Sequence, residues 1–198
     1  ASSGPGIALM TEALGLAAMA EIPLVVADIQ RAGPSTGLPT KHEQSDLNLA
    51  VYGNHGEAPR IVIAPIDVSD CFYRTIDAFN LAEKYQIPVL LVSDTTLATR
   101  SECIKKPDLS KIKLLERETA KATNGGPYKR YAFSPSGVSP MSVPGKYGLP
   151  YTATGLEHDE QARPNYTPGM HSAMTDKRFR KVKSAVPDFP PVEFYGDQ

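Results

Sequence analysis

The chain of 198 residues has no tryptophan and two cysteines, Cys71 and Cys103. Two thiols are too few for a four-thiolate iron–sulfur cluster or a cysteine-rich zinc site. Cys71 falls in a helical pattern and reads as a core residue, and a reducing cytoplasm is the expected compartment. No run of 18 apolar residues exists, so no membrane-spanning helix is expected, and no signal peptide is visible. The Walker-type Gly-x-x-x-x-Gly-Lys-Ser/Thr is missing, which argues against a nucleotide-phosphate loop. The net charge of -1 suggests neither nucleic acid nor an anionic membrane as a partner.

What is there is unevenly spread. Residues 1–100 hold 6 Lys/Arg against 11 Asp/Glu, while residues 101–198 hold 15 against 11. The densest basic cluster, Lys177, Arg178, Arg180, Lys181 and Lys183, reads either as a solvated tail or as a contact for an acidic partner surface. Eleven of the 18 prolines lie beyond residue 100. The expected organisation follows from this: a partial α/β domain over 1–100, an arm over 101–186, and a linker over 187–198 towards a further domain.

Within 1–100 the order reads α-β-α-β-α-β. An almost wholly apolar segment, Ile7 to Ala20, predicts a buried helix. Pro23 to Ile29, Arg60 to Ala64 and Ile87 to Asp94 predict strands buried on both faces. Ser45 to Tyr52 and a segment from Asp67 or Ser69 to Gln86 predict helices. This alternation argues for a parallel sheet with helices on both faces. In the arm only Ser110 to Ala122 reads as a helix. The rest is expected to run extended over a surface, anchored by Tyr128, Tyr131, Phe133, Tyr147, Tyr151 and Tyr166, although its composition would also suit disorder.

The stretch with the most chemistry is Gln30 to Gln44, directly after the first strand. Ligands of open α/β sheets bind at such carboxyl ends of strands. Arg31 offers a planar fork of donors suited to a carboxylate or phosphate. Ser35, Thr36 and Thr40 add hydroxyls, and Gly33, Pro34, Gly37 and Pro39 stiffen and turn the loop. The loop reads as a preformed anion pocket or, more blandly, as a chain turn with a solvated arginine. Ser2 to Gly6 open the first helix, whose N–H groups either meet a ligand or are capped by Ser2 or Ser3. His55, between glycines, is an acid/base candidate or a turn residue.

Five elements then carry a resemblance: Ser3-Gly4-Pro5-Gly6 with Leu9-Met10-Thr11-Glu12, Gln30 through Thr40, His55-Gly56-Glu57-Ala58-Pro59, Ala82-Glu83-Lys84-Tyr85 with Pro88-Val89, and Thr154 to Asp159. In this order they resemble the α subunit of 2-oxoacid:ferredoxin oxidoreductases, most closely the 2-oxoglutarate type. The resemblance implies a pyrimidine-binding domain of the thiamine-diphosphate-binding kind. It also implies oxidative decarboxylation of a 2-oxoacid to an acyl-coenzyme A, with electrons passing to ferredoxin. A β subunit is implied to hold the diphosphate, Mg²⁺ and an iron–sulfur cluster. Residue by residue, Arg31 is implied to receive the substrate carboxylate with Thr36 and Thr40 beside it, and Ser3 and Gly4 to line the cofactor side. Ser35 and His55 remain further candidates.

The family's Tyr-Pro-Ile-Thr-Pro motif, and the Glu that pairs with the cofactor's aminopyrimidine, are not in this chain. The expectation is therefore that the chain starts inside a domain, contributes no catalytic residue of its own, and does not act alone; a separate chain could supply the upstream half. The competing reading is a non-catalytic α/β assembly module that docks on a partner subunit.

Overall fold

The computed structural model describes residues 1–121, 126–146, 148–190 and 196. Three parallel strands, β1 (Leu24–Gln30), β2 (Ile61–Ile63) and β3 (Pro88–Asp94), lie in the order β1-β3-β2. Leu24 pairs with Pro88 and Ile61 with Val89, so all three strands run together towards one carboxyl edge. One face packs Val25, Ile61, Ile63, Val89 and Leu91 against Ala78, Leu81, Ala82 and Tyr85 of α4 (Val68–Tyr85), and against Ala185 of a helix far along the chain. The other packs Val26, Leu90 and Val92 against Ile7 of α1 (Gly4–Leu9), Leu14 of α2 (Thr11–Met19) and Ala50 of α3 (Leu47–Tyr52). The expected parallel sheet covered on both faces is thus present. Asp67 caps α4 by accepting from the Asp70 N–H at 2.7 Å.

The first helix departs from expectation. It is two helices, α1 and α2, joined at Met10, whose side chain cannot cap. It is not buried all round either: Leu9 is 88% exposed and Leu16 45%. Uniform hydrophobicity hid which side faces the sheet. Ser3 precedes α1 in an extended conformation and makes no side-chain capping bond, so its hydroxyl does not serve the helix start.

Beyond β3 and the short α5 (Thr95–Thr99) the arm also differs. The expected helix over Ser110 to Ala122 is not formed through Lys121, and Ala122 lies outside the described residues; only a 3-10 turn, Leu109–Lys111, is present. Its backbone is taken by other partners. The Asn80 side chain donates to Lys113 O at 2.7 Å and accepts from Leu115 N at 2.8 Å. Glu118 and Ala120 pair with Met141 across an isolated bridge, and Arg117 forks onto Glu83 at 2.6 and 2.7 Å.

The helix of the arm is α6, Pro168–Ala185, where an extended segment was expected. Its buried stripe is Met174, Lys177, Arg178, Lys181 and Ala185. That spacing is helical, but three of the five residues are cations, so a search for apolar periodicity passes over it. The basic cluster is therefore neither a solvated tail nor an acidic-partner contact at these three positions.

Lys177 Nζ donates to both Glu21 carboxylate oxygens at 2.6 and 2.8 Å, and Lys181 Nζ lies 2.6 Å from Glu21 Oε2. The Arg130 guanidinium donates to Glu21 O at 2.7 Å and stands 4.0 Å from its carboxylate. All four side chains are at most 2% exposed. Burial alone would push Glu21 up, but Lys181 and Lys177 outweigh it and hold the carboxyl at about 2. Burial pulls Lys181 down to about 7 against the attraction of Glu21. Glu21 and Gln86 are both left-handed, with φ of 52° and 49°. Each turns a helix into a strand, and Lys181 also donates to Gln86 O at 3.0 Å. The arm thus clasps both corners at the amino edge of the sheet.

Of the expected aromatic anchors, Tyr131 is fully buried with its ring 4.0 Å from that of His158. Tyr128 donates to Pro140 O at 2.6 Å and stacks edge-on to Tyr151. Phe133 and Tyr166 are exposed and do not anchor; Tyr147 lies outside the described residues. Most of the expected linker, residues 191–195 and 197–198, lies outside them too. At its start Asp188 accepts from Tyr85 Oη at 2.6 Å and pairs with Lys84.

Candidate active site

The carboxyl end of β1 runs into a loop folded on itself. Ala32 N donates to Lys41 O at 2.9 Å, Leu38 N to Ala32 O at 3.1 Å, and Lys41 N to Leu38 O at 3.0 Å. Gly37 has φ +54°, and a Cβ there would sit 2.2 Å from Ala32 O, so the tight turn needs glycine. Ser45 Oγ donates to Arg31 O at 2.9 Å and Gly33 N to Glu43 Oε2 at 3.3 Å, tying the loop to the start of α3.

These contacts enclose a cavity of about 430 Å³. Arg31, Gly33, Pro34 and Ser35 form its loop side; Gly4, Pro5 and Ala8 of α1 form another; Glu43, Ser45, Asp46 and Leu49 complete it. Arg31 is half-buried, and its Nε is buried with no protein acceptor. Among the described residues its guanidinium makes no ion pair or side-chain hydrogen bond. A half-desolvated, unpartnered guanidinium at a cavity wall is set up for an external anion.

The structure brings Arg31, Ser35 and Gly4 together. It does not bring in the others. Thr36 and Thr40 are exposed and off the cavity wall, because the turn at Gly37 carries them outward. Ser3 is half-buried and does not line the cavity. His55 lies elsewhere, 73% exposed and 3.1 Å from Glu12, beside a separate cavity of about 360 Å³. That cavity also holds Glu157, which accepts a two-bonded fork from Arg178 at 3.0 Å and contacts His171 at 2.5 Å. The Thr154–Asp159 segment thus anchors α6 rather than the Arg31 cavity.

Sequence reasoning missed two carboxylates. Asp46 lies on the cavity wall. Its N–H donates to Gln30 Oε1 at 3.0 Å, and a Cβ on Gly4 would fall 2.3 Å from its Oδ1, so Gly4 is the space into which Asp46 fits. Asp28, fully buried in β1, has no hydrogen-bond partner on either oxygen. Burial, then repulsion from Asp46, pushes its carboxyl up to about 7. The available signal was one ionisable residue inside an otherwise apolar strand.

A family model described as "Pyruvate flavodoxin/ferredoxin oxidoreductase, thiamine diP-bdg" matches residues 1–177. The 2-oxoacid:ferredoxin oxidoreductase 1 subunit alpha of Sulfurisphaera tokodaii is 41% identical over all of this chain and 32% of its own length. The 2-oxoglutarate oxidoreductase subunit KorA of Mycobacterium tuberculosis is 41% identical over 99% of this chain and 30% of its own. Among solved structures, the 2-oxoglutarate:ferredoxin oxidoreductase from Magnetococcus marinus with 2-oxoglutarate, coenzyme A and succinyl-CoA bound superposes with a TM-score of 0.93 at 48% identity, covering all of this chain and 34% of that one. The chain spans about a third of the length of these relatives.

Proposed function

We propose, from the premise that this chain belongs to the pyruvate flavodoxin/ferredoxin oxidoreductase thiamine-diphosphate-binding family, that it works as the substrate-carboxylate half of a 2-oxoacid:ferredoxin oxidoreductase site. The substrate class is a 2-oxoacid, with 2-oxoglutarate favoured by the names of the relatives. The reaction is oxidative decarboxylation to an acyl-coenzyme A, in a complex with a second subunit and with ferredoxin as electron acceptor. A cytoplasmic location belongs to the same proposal; no described helix is long and apolar enough to cross a membrane.

The observation that carries this is the unpartnered Arg31 guanidinium at the strand tip. A 2-oxoacid is an anion, and a planar fork fixes the carboxylate in position and orientation, which lowers the barrier by pre-paying alignment. Ser35 at the mouth and the Gly4 backbone opposite it bound the space. The ring end of thiamine diphosphate would be held at the other wall, where the orphaned Oδ2 of Asp46 could accept from its amino group and side-chain-free Gly4 would admit close approach. The described residues contain no group of three His, Cys, Asp or Glu side chains able to hold a metal ion. The family resemblance assigns Mg²⁺ with the diphosphate, and the iron–sulfur cluster, to the partner subunit. When bound, the cofactor supplies the electron sink for decarboxylation; this chain binds, orients and shields.

The test is Arg31→Ala in the assembled enzyme. A charge-assisted hydrogen bond is worth about 1.5–3 kcal/mol, so the KM for the 2-oxoacid should rise roughly 10- to 150-fold while cofactor affinity holds. Unchanged kinetics would remove Arg31 from the site.

A further inference from the structure

The buried carboxylates Asp28 and Asp46 are used by nothing in the reading above except one acceptor oxygen. β1 alternation puts Asp28 on the same face as Val26 and Gln30, towards α1 and α3. Ser2 pairs alongside it in a parallel bridge: Ser2 N donates to Ala27 O at 2.9 Å and Ile29 N to Ser2 O at 2.7 Å. No donor reaches either Asp28 oxygen, and Asp46 Oδ2 is equally without one. An ionised carboxylate stripped of water and of donors is costly, and two adjacent ones cannot both stay charged cheaply.

The groups around Asp28 are few. Asp46, at the start of α3, is the charge that acts on it. α1 and α5 carry no titratable side chain, and Glu12 of α2 is turned out to His55. On β3, Asp94 stands in register with Gln30, two residues further along, and is occupied with the Leu97 N–H and the Gln44 amide. Asp70, Arg74 and Asp77 of α4 pair among themselves beneath the opposite face. Arg31 and Glu43 are on the loop above, Glu43 at its exposed side.

We infer that Asp28 is a positioning residue for the Arg31 cavity: held as a neutral carboxylic acid behind Asp46, it adds no charge to a wall where the Asp46 and Glu43 carboxylates already face one guanidinium, and on ionising it turns that balance further against an anionic substrate. This rests on the proposed 2-oxoacid reading and adds a pH limit to it. The raised ionisation of Asp28, near neutrality, is in keeping with the geometry.

The experiment measures KM for 2-oxoglutarate from pH 6 to 9 in the assembled enzyme, wild type and Asp28→Asn, alongside infrared difference spectra in the protonated-carboxyl C=O region. Wild-type KM should climb several-fold above neutrality, and the climb should flatten in Asp28→Asn. The C=O band should titrate near neutral pH and vanish in the variant. Asp46→Asn, which removes the repulsion, should move both the climb and the band to lower pH, and serves if Asp28→Asn does not assemble. An enzyme that turns over 2-oxoglutarate with the same KM profile in wild type and variants overturns the inference and leaves the function standing. A wild type with no 2-oxoacid turnover overturns the function; the infrared band then still decides the state of Asp28, and its absence overturns the inference.

Discussion

Glu21→Gln isolates the clasp between the arm and the sheet. The substitution keeps shape and removes the one anion among Lys177, Lys181 and Arg130, all fully buried. Breaking a buried pair by taking one partner costs about 3–5 kcal/mol, because the remaining charges stay uncompensated. Whole domains are stable by about 5–15 kcal/mol, so about a fifth or more of the margin is at stake, equivalent to about 10 °C in Tm at this size. The pH dependence gives the sharper check. In wild type, Glu21 is held at about 2, below its ordinary 4.5; its contribution is full above about pH 4.5 and lost as pH falls through 2. Lys181 behaves in the opposite sense, with about 7 against 10.5: the unfolded chain binds its proton more readily, so stability rises with pH between those values. Without Glu21 both lysines lose their attraction and discharge more easily. The deficit of Glu21→Gln should therefore shrink from pH 7 to pH 10. Urea unfolding of wild type and variant at pH 7, 8.5 and 10 measures it. A deficit below about 1 kcal/mol, or one that does not fall with rising pH, refutes the account of the clasp.

Asp28→Asn should stabilise the fold in alkali. The wild-type carboxyl, at about 7 against 3.8, makes stability fall as pH rises between those values, by an upper bound of ~4 kcal/mol; thermal melts at pH 5 and 8 should converge in the variant. Gly4→Ala places a Cβ 2.3 Å from Asp46 Oδ1, and overpacking of that kind costs about 1–3 kcal/mol. Calorimetry should record the loss, with 2-oxoacid KM raised because Asp46 is pushed into the cavity.

The sheet was legible because its strands are short apolar runs separated by caps and breakers: Leu24–Gln30, Ile61–Ile63 and Pro88–Asp94 each fall within two residues of where periodicity put them. Arg31 was legible from its place after a strand. Thr36 and Thr40 were not separable from it by sequence, since the left-handed turn through Ser35 and Gly37 decides which side of the loop faces the cavity. α6 escaped because three of its five inward residues are cations; Lys177 finds its counterion 156 residues away in Glu21, and Arg178 finds its own in Glu157. The same long range hid why residues 112–121 do not form a helix, as their partners are on α4 and near Met141.

The clasp also sets how small a working piece of this molecule can be. Every residue lining the Arg31 cavity lies before position 50, which invites trimming the chain just after β3. Such a cut would leave an acidic corner bare at the root of the very strand whose tip carries the guanidinium. Anyone building a minimal unit around the Arg31 cavity has to keep α6, or neutralise Glu21 in its place.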